Sequence, residues 1–162
     1  MPIHPGRFAA AHAGPIVVFL IGMRINHFHK PGKWLPVARA MPAMLRELYA
    51  DPASGFLGAE TLLGGVRVLF MLQYWRDFDS LEGYARDPDR VHWPAWAAFN
   101  KAVGGNGSVG IFHETYCVDA GRFETIYANM PAFGLGKVSG VVPATGSRNA
   151  ARERMKASRP ET

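Results

Sequence analysis

The sequence predicts an α+β domain of the split βαβ, ferredoxin-like kind, and three observations carry that prediction. Between residues 15 and 118 the patterns run strand, helix, strand, strand, helix, strand, which is the βαββαβ order. Two of those strands, residues 15–27 and 66–75, are apolar on both faces, as covered sheets are. The 162-residue chain is 48% hydrophobic and 12% aromatic, enough for one domain with a real core.

The elements follow in order. Residues 1–14, "MPIHPGRFAAAHAG", read as an N-terminal extension without the apolar run of a signal peptide. In "PIVVFLIGMRINH" Val17, Phe19, Ile21, Met23 and Ile25 share one strand face, and Ile16, Val18, Leu20 and Gly22 share the other. "LPVARAMPAMLRELYAD" then sets Val37, Met41, Met44, Leu45 and Leu48 on one helical stripe of about three turns, with Pro42 disturbing its start. "SGFLGAETLLGG" and "VRVLFMLQYW" read as the second and third strands. "DSLEGYARD" opens the second helix, with Asp79 as cap and Glu82 three residues on, until Asp87-Pro88 interrupts it. "VHWPAWAAFNKAVGG" resumes it with His92, Trp96, Phe99 and Val103 at helical spacing and stops at Gly104-Gly105. "SVGIFHETYCV" is the fourth strand and "RFETIYANM" a short strand or hook. The domain is expected to span residues 15–137, with residues 138–162 as a basic, flexible tail whose last part, 145–162, can be deleted without loss of folding.

Helices on one side of an antiparallel sheet leave its other face bare, so strands apolar on both faces call for a second cover. The same sheet from another copy supplies it most economically, which predicts a homodimer. The C-terminal segment folding back is the competing cover.

Composition excludes several classes. The net charge of +5 comes largely from the C-terminal stretch, which makes a tail and not a basic face, and no nucleic-acid motif accompanies it. The longest apolar run, "GPIVVFLIGM", is far short of the ~20 residues of a membrane span. The single cysteine, Cys117, excludes an intrachain disulfide and reads as a buried thiol in a reducing compartment, so a cytoplasmic protein is expected. The glycine clusters "GGVRV" and "GGNGSVG" precede strands and lack phosphate-loop spacing, and therefore read as turns.

The candidate chemistry lies with histidines. His92 falls on the inward stripe with Trp96 and Phe99, and two readings stand: a core-edge histidine bonded to a carbonyl, or a metal or haem ligand or base. In "GIFHETY" His113 and Thr115 share one face while Glu114 and Tyr116 share the other, so His113 and Glu114 do not form a dyad. Sheet neighbours such as Arg24 or Tyr74 are candidate partners of His113. His27 and His29, two residues apart, have no acidic or cysteine partner nearby and read as structural or exposed.

The stretches "VVFLIGMRINHF", "LQYWRDFDSLEGYARDPDRVHWPAWAAFN", "VGIFHETY" and "YANMPAFGL" resemble a family of small bacterial and fungal monooxygenase-like proteins. It includes a member from fumagillin biosynthesis and lies within the dimeric α/β-barrel group of antibiotic-biosynthesis monooxygenases. The resemblance covers roughly residues 15–137 and implies a ferredoxin-like dimeric α/β barrel with a ligand cavity between sheet and helices. In haem-degrading members of the superfamily the iron ligand is a histidine in the second helical segment after strand three, where His92 falls here, although Pro88 and Pro94 depart from that pattern. The resemblance thus implies a small-molecule oxidoreductase, a monooxygenase acting on a small apolar or aromatic molecule, with haem as the candidate cofactor. His92, framed by Trp96 and Phe99, would hold the cofactor or metal, and His113, Arg24 and Tyr74 would orient oxygen or a carbonyl. The alternative is a non-catalytic haem or small-ligand binding or sensor protein on the same fold.

Overall fold

Alternating apolar side chains and short turns draw the chain into seven strands among the residues described by the computed structural model, which are 2–90, 97, 99, 105 and 107–160. By internal contacts the chain divides into two compact units, residues 19–115 and residues 1–18 with 116–162.

The first unit holds the expected elements, save the first three residues of β2 and the last three of β5. Strand β2 (Ile16–Ile25) leads to α1 (Pro31–Ala50), then β3 (Phe56–Leu63), β4 (Val68–Trp75), α2 (Phe78–Arg86) and β5 (Val109–Val118). The sheet order is β3-β4-β2-β5, so β4 inserts between β2 and β3 while β5 closes the other edge beside β2, the ferredoxin-like arrangement. β3 and β4 pair antiparallel from Phe56↔Trp75 to Leu63↔Leu69. Met23, Met71 and Trp75 are each 1% exposed and anchor the core, and the Trp75 indole N–H donates to buried Gln73 at 3.0 Å. Four indole, ring and phenol groups, Tyr49, Phe56, Trp75 and Tyr84, meet edge-on or tilted at 5.1–5.8 Å.

Two local readings are corrected. Helix α1 has 20 residues and begins at Pro31, because a proline at the first helical position gives up no hydrogen bond; Pro36 and Pro42 both lie inside it. The cap of α2 is Asp77 and not Asp79: the Asp77 carboxylate accepts from the Ser80 amide at 2.7 Å, which leaves Asp79 in the first turn.

The second unit joins the expected extension and tail to residues 116–137 of the expected domain, where β6 falls within the short strand or hook read at "RFETIYANM". β1 (His4–Ala10) pairs antiparallel with β6 (Tyr127–Met130) on one side and β7 (Val141–Pro143) on the other. Phe8 stacks on Tyr127 at 5.3 Å. Two short helices, α3 (Leu135–Ser139) and α4 (Ala151–Ala157), complete it, and Arg154 of α4 is buried. β6 and β7 are only four and three residues long and α4 only seven, too short to hold their conformation alone, so tertiary pairing decides it. Cys117 is exposed, a correction to the buried thiol expected, since the side chains of β5 from Phe112 to Cys117 all stand open to solvent on an edge strand.

Candidate active site

The face of the β2–β5 ladder that carries odd-numbered residues is roofed by α1 and α2, and a cavity of about 460 Å³ opens between them. Such a volume lies in the range of small-molecule sites. β2 contributes Phe19, Ile21 and Met23, and β5 contributes Ile111, His113 and Thr115. Helix α1 presents Lys33, Pro36, Val37, Ala40, Met41 and Met44, spaced three or four apart as one face of a helix requires. Phe78, Leu81, Glu82 and Ala85 of α2 and Phe99 complete the lining.

This wall is apolar and adaptable. Three methionines, two of them on the α1 stripe, provide soft contacts that conform to planar ligands. Four side chains bring polarity: Lys33, Glu82, Thr115 and His113. Glu82 is paired with Arg86 at 2.8 Å one helical turn on. The His113 ring lies 5.8 Å from the Phe19 ring at an interplanar angle of 43° and is exposed, so its nitrogens are reachable from the cavity and from water.

The candidates named from sequence separate as follows. His113 and Phe99 both line the cavity, and Phe99 also packs on the Met23–Val109 cluster. Arg24 lies on the opposite sheet face, exposed, with its guanidinium donating to the Asn26 side-chain carbonyl. Tyr74 is buried in β4, opposite Gly58 of β3, and is not part of the lining. His92 and Trp96 lie outside the described residues. The His27 and His29 rings meet at 5.4 Å, and among the described residues no three His, Cys, Asp or Glu side chains gather as a metal group.

Sequence reasoning missed Lys33, Glu82 and Thr115 as lining residues. Lys33 falls before the helical stretch that the sequence predicts from Leu35; Pro31 at the first position of α1 is the available signal. Thr115 follows from His113 by strand alternation once the cavity face is known.

Outside the lining, Tyr84 donates its hydroxyl to Glu47 Oε2 at 2.9 Å, joining α2 to α1. Burial, reinforced by Glu47, pushes the phenol well above its ordinary range, so it remains a neutral donor. Arg90 bonds Asp51 at 2.6 Å and Asp87 at 3.2 Å, and its guanidinium sits 5.9 Å from the Tyr84 ring centre. This network carries structure and lines no part of the cavity.

Comparison with known proteins adds a family. The profile of the family described as monooxygenase af470-like matches residues 16–135. Monooxygenase af470 of Aspergillus fumigatus is 27% identical over 133 residues, covering 76% of this chain and 46% of that protein. The chain therefore spans about half the length of that relative. Among solved structures, aldoxime dehydratase OxdRE in complex with butyraldoxime aligns with a TM-score of 0.65 and 18% identity, over 83% of this chain and 40% of that one. SnoaB, a cofactor-independent oxygenase from Streptomyces nogalater, aligns with a TM-score of 0.45 and 13% identity, over 62% of this chain and 91% of that one.

Proposed function

The chain belongs to the monooxygenase af470-like family, and from that premise we propose that it is an oxygen-using enzyme whose α1/α2-roofed cavity holds a small, flat, apolar molecule. The observation that supports this reading most is the chemistry of the lining: aromatic and thioether contacts for binding, and one reachable imidazole for proton transfer. The His113 imidazole would accept a proton from an acidic C–H or O–H of a conjugated substrate. An apolar wall disfavours water and holds the substrate's plane against Phe19 and the α1 methionines. The net change CH2 + O2 → C=O + H2O balances without an external reductant. Arg24 and Tyr74, away from the lining, would act only through the sheet that carries His113.

The described donor set also admits haem. Imidazole is an ordinary axial ligand, and Lys33 supplies a cation of the kind a haem propionate pairs with. Bound haem would supply oxygen activation; His113 would then hold it or stand over it, according to whether His92 is the ligand. The absorption spectrum of the freshly purified protein and its titration with haem test this directly. A specific Soret band lost in His92→Ala and retained in His113→Ala assigns His92 as ligand, and the converse assigns His113. No specific band removes haem from the reading and leaves the imidazole base.

We also propose a homodimer. On the face opposite the cavity, Leu20, Phe70 and Leu72 are half-buried and Phe112 is exposed, an apolar set that a second copy would cover. Light scattering is expected to give twice the chain mass, and Phe112→Glu to weaken association. A monomer at micromolar concentration overturns it. The non-catalytic binding alternative is separated by oxygen uptake: an electrode trace with small conjugated acids that stays flat while the same compounds bind would favour it.

A further inference from the structure

A second cavity, of about 170 Å³, lies wholly within the unit formed by residues 1–18 and 116–162. Three arginines line it, Arg148, Arg154 and Arg159, against a single acidic residue, Glu124. Arg154 is the keystone. It is 7% exposed; its Nε donates to Glu124 Oε2 at 2.7 Å, and its Nη1 donates to the carbonyls of Arg148 at 3.1 Å and Asn149 at 2.6 Å. Nη2 has no partner among the described residues. The side chains of Arg148 and Arg159 likewise have no ion pair or hydrogen bond among those residues.

Glu124 is paired with Arg154, and Arg148 and Arg159 line the same cavity with no carboxylate paired to either among the described residues. Like charges held around a small concavity repel unless an anion sits between them. We propose that this cavity binds a small oxyanion, a phosphate, sulfate or carboxylate group, gripped by Arg148, Arg159 and the free edge of Arg154. Guanidinium is the side chain best matched to such groups, because its planar fork donates two parallel hydrogen bonds to two oxygens. Thr125 adds a hydroxyl: its Oγ1 accepts from the Ala10 amide at 2.8 Å, which leaves its O–H to donate. His12 approaches the Pro15 carbonyl at 3.2 Å through Nε2, so a neutral ring presents Nδ1 as an acceptor and only a protonated ring adds a donor. The volume is well below the about 300 Å³ where drug-sized sites begin, so the ligand is an inorganic oxyanion or the acid end of a larger molecule.

The test uses the full chain. Isothermal titration and thermal shift with inorganic phosphate, sulfate and succinate are compared with chloride at matched ionic strength. The expected result is a saturable heat and a rise in melting temperature for at least one oxyanion and none for chloride. Arg148→Gln and Arg159→Gln should each weaken binding about tenfold. Arg152→Gln, on the same helix as Arg154 but outside the lining, should leave it unchanged. Whichever of phosphate or succinate binds more tightly identifies the acid. Absence of saturable binding, equal stabilisation by chloride, or equal loss in Arg152→Gln overturns the site; circular dichroism of each variant confirms that it is folded.

Discussion

At Asp77 one carboxylate serves two purposes. It caps α2 through the Ser80 amide, and it accepts from Arg76 Nε at 2.9 Å, while Arg76 Nη2 also reaches the Ser80 hydroxyl at 2.9 Å. The Ser80 hydroxyl, then Arg76 and the Ser80 amide, hold the acid down to about 2 from an ordinary 3.8. The folded state thus prefers the charged form. The resulting stabilisation is complete above pH 4 and is lost as pH falls through about 2. Asp77→Asn keeps a capping oxygen but removes the charge, so urea melts between pH 4 and pH 2 are expected to flatten relative to wild type. Asp77→Ala should cost about 1 kcal/mol near neutrality. The sequence pointed to Asp79 because Asp79–Glu82 fits capping spacing as well as Asp77–Ser80 does. What decides between them is Arg76, whose pairing across the turn carries no periodic signal. His113 was legible for the opposite reason: strand alternation alone places it with Thr115.

Among elements, α1 carries the strongest internal conflict. Two interior prolines each remove an i→i−4 hydrogen bond, yet the helix runs through both because its apolar face roofs the sheet. Pro36 lines the cavity, whereas Pro42 is exposed and contributes nothing to the lining. Pro42→Ala is therefore expected to raise stability by about 2 kcal/mol, from about 3 gained in helix propensity less up to about 1 lost by freeing the unfolded chain. Chemical denaturation measures it, and unchanged ligand binding would confirm that the cavity keeps its shape. On β2 the reverse constraint holds at Gly22. A methyl group there would lie 2.5 Å from Phe70 Cβ and 2.7 Å from Phe112 Cζ. Gly22→Ala should destabilise by about 1–3 kcal/mol through overpacking. The sheet, α1's stripe and the strand order could be read from periodicity; the extra turns of α1 could not, since proline argues against helix wherever packing is unknown.

For the molecule as a whole, the C-terminal residues alter the expectation that they can be removed. Arg154 is bonded to Glu124, Arg148 and Asn149, and Ser158, 4% exposed, accepts from the Gly121 amide at 2.9 Å. Arg154→Ala leaves Glu124, a quarter exposed, without its cation. The expected cost is about 2–4 kcal/mol, somewhat below that of a fully buried pair. Truncation after residue 144 should cost at least as much stability and so lower the melting temperature; a melting curve matching full-length protein would mean these contacts contribute no net stability. Neither β1 nor α4 was legible, because Pro5 and Gly6 argue against a strand and a seven-residue helix is too short to stand alone, so the order of both depends on partners distant in sequence. The ferredoxin-like core was legible because its strands and helices each satisfy a short-range period.

β5 stands at the rim of its sheet, with β2 as its neighbour in that sheet and its side chains alternating between cavity and solvent. The chemical character of the cavity is consequently a matter of parity. Slide β5 by one residue along β2 and every odd position trades places with an even one: His113 leaves, Glu114 enters, and the cavity exchanges an imidazole for a carboxylate. Insertions of two residues within β5 preserve the histidine's side of the sheet, and insertions of one invert it. Evolution along this strand is thereby quantised, able to shift the base by whole steps of two but never by one without replacing it.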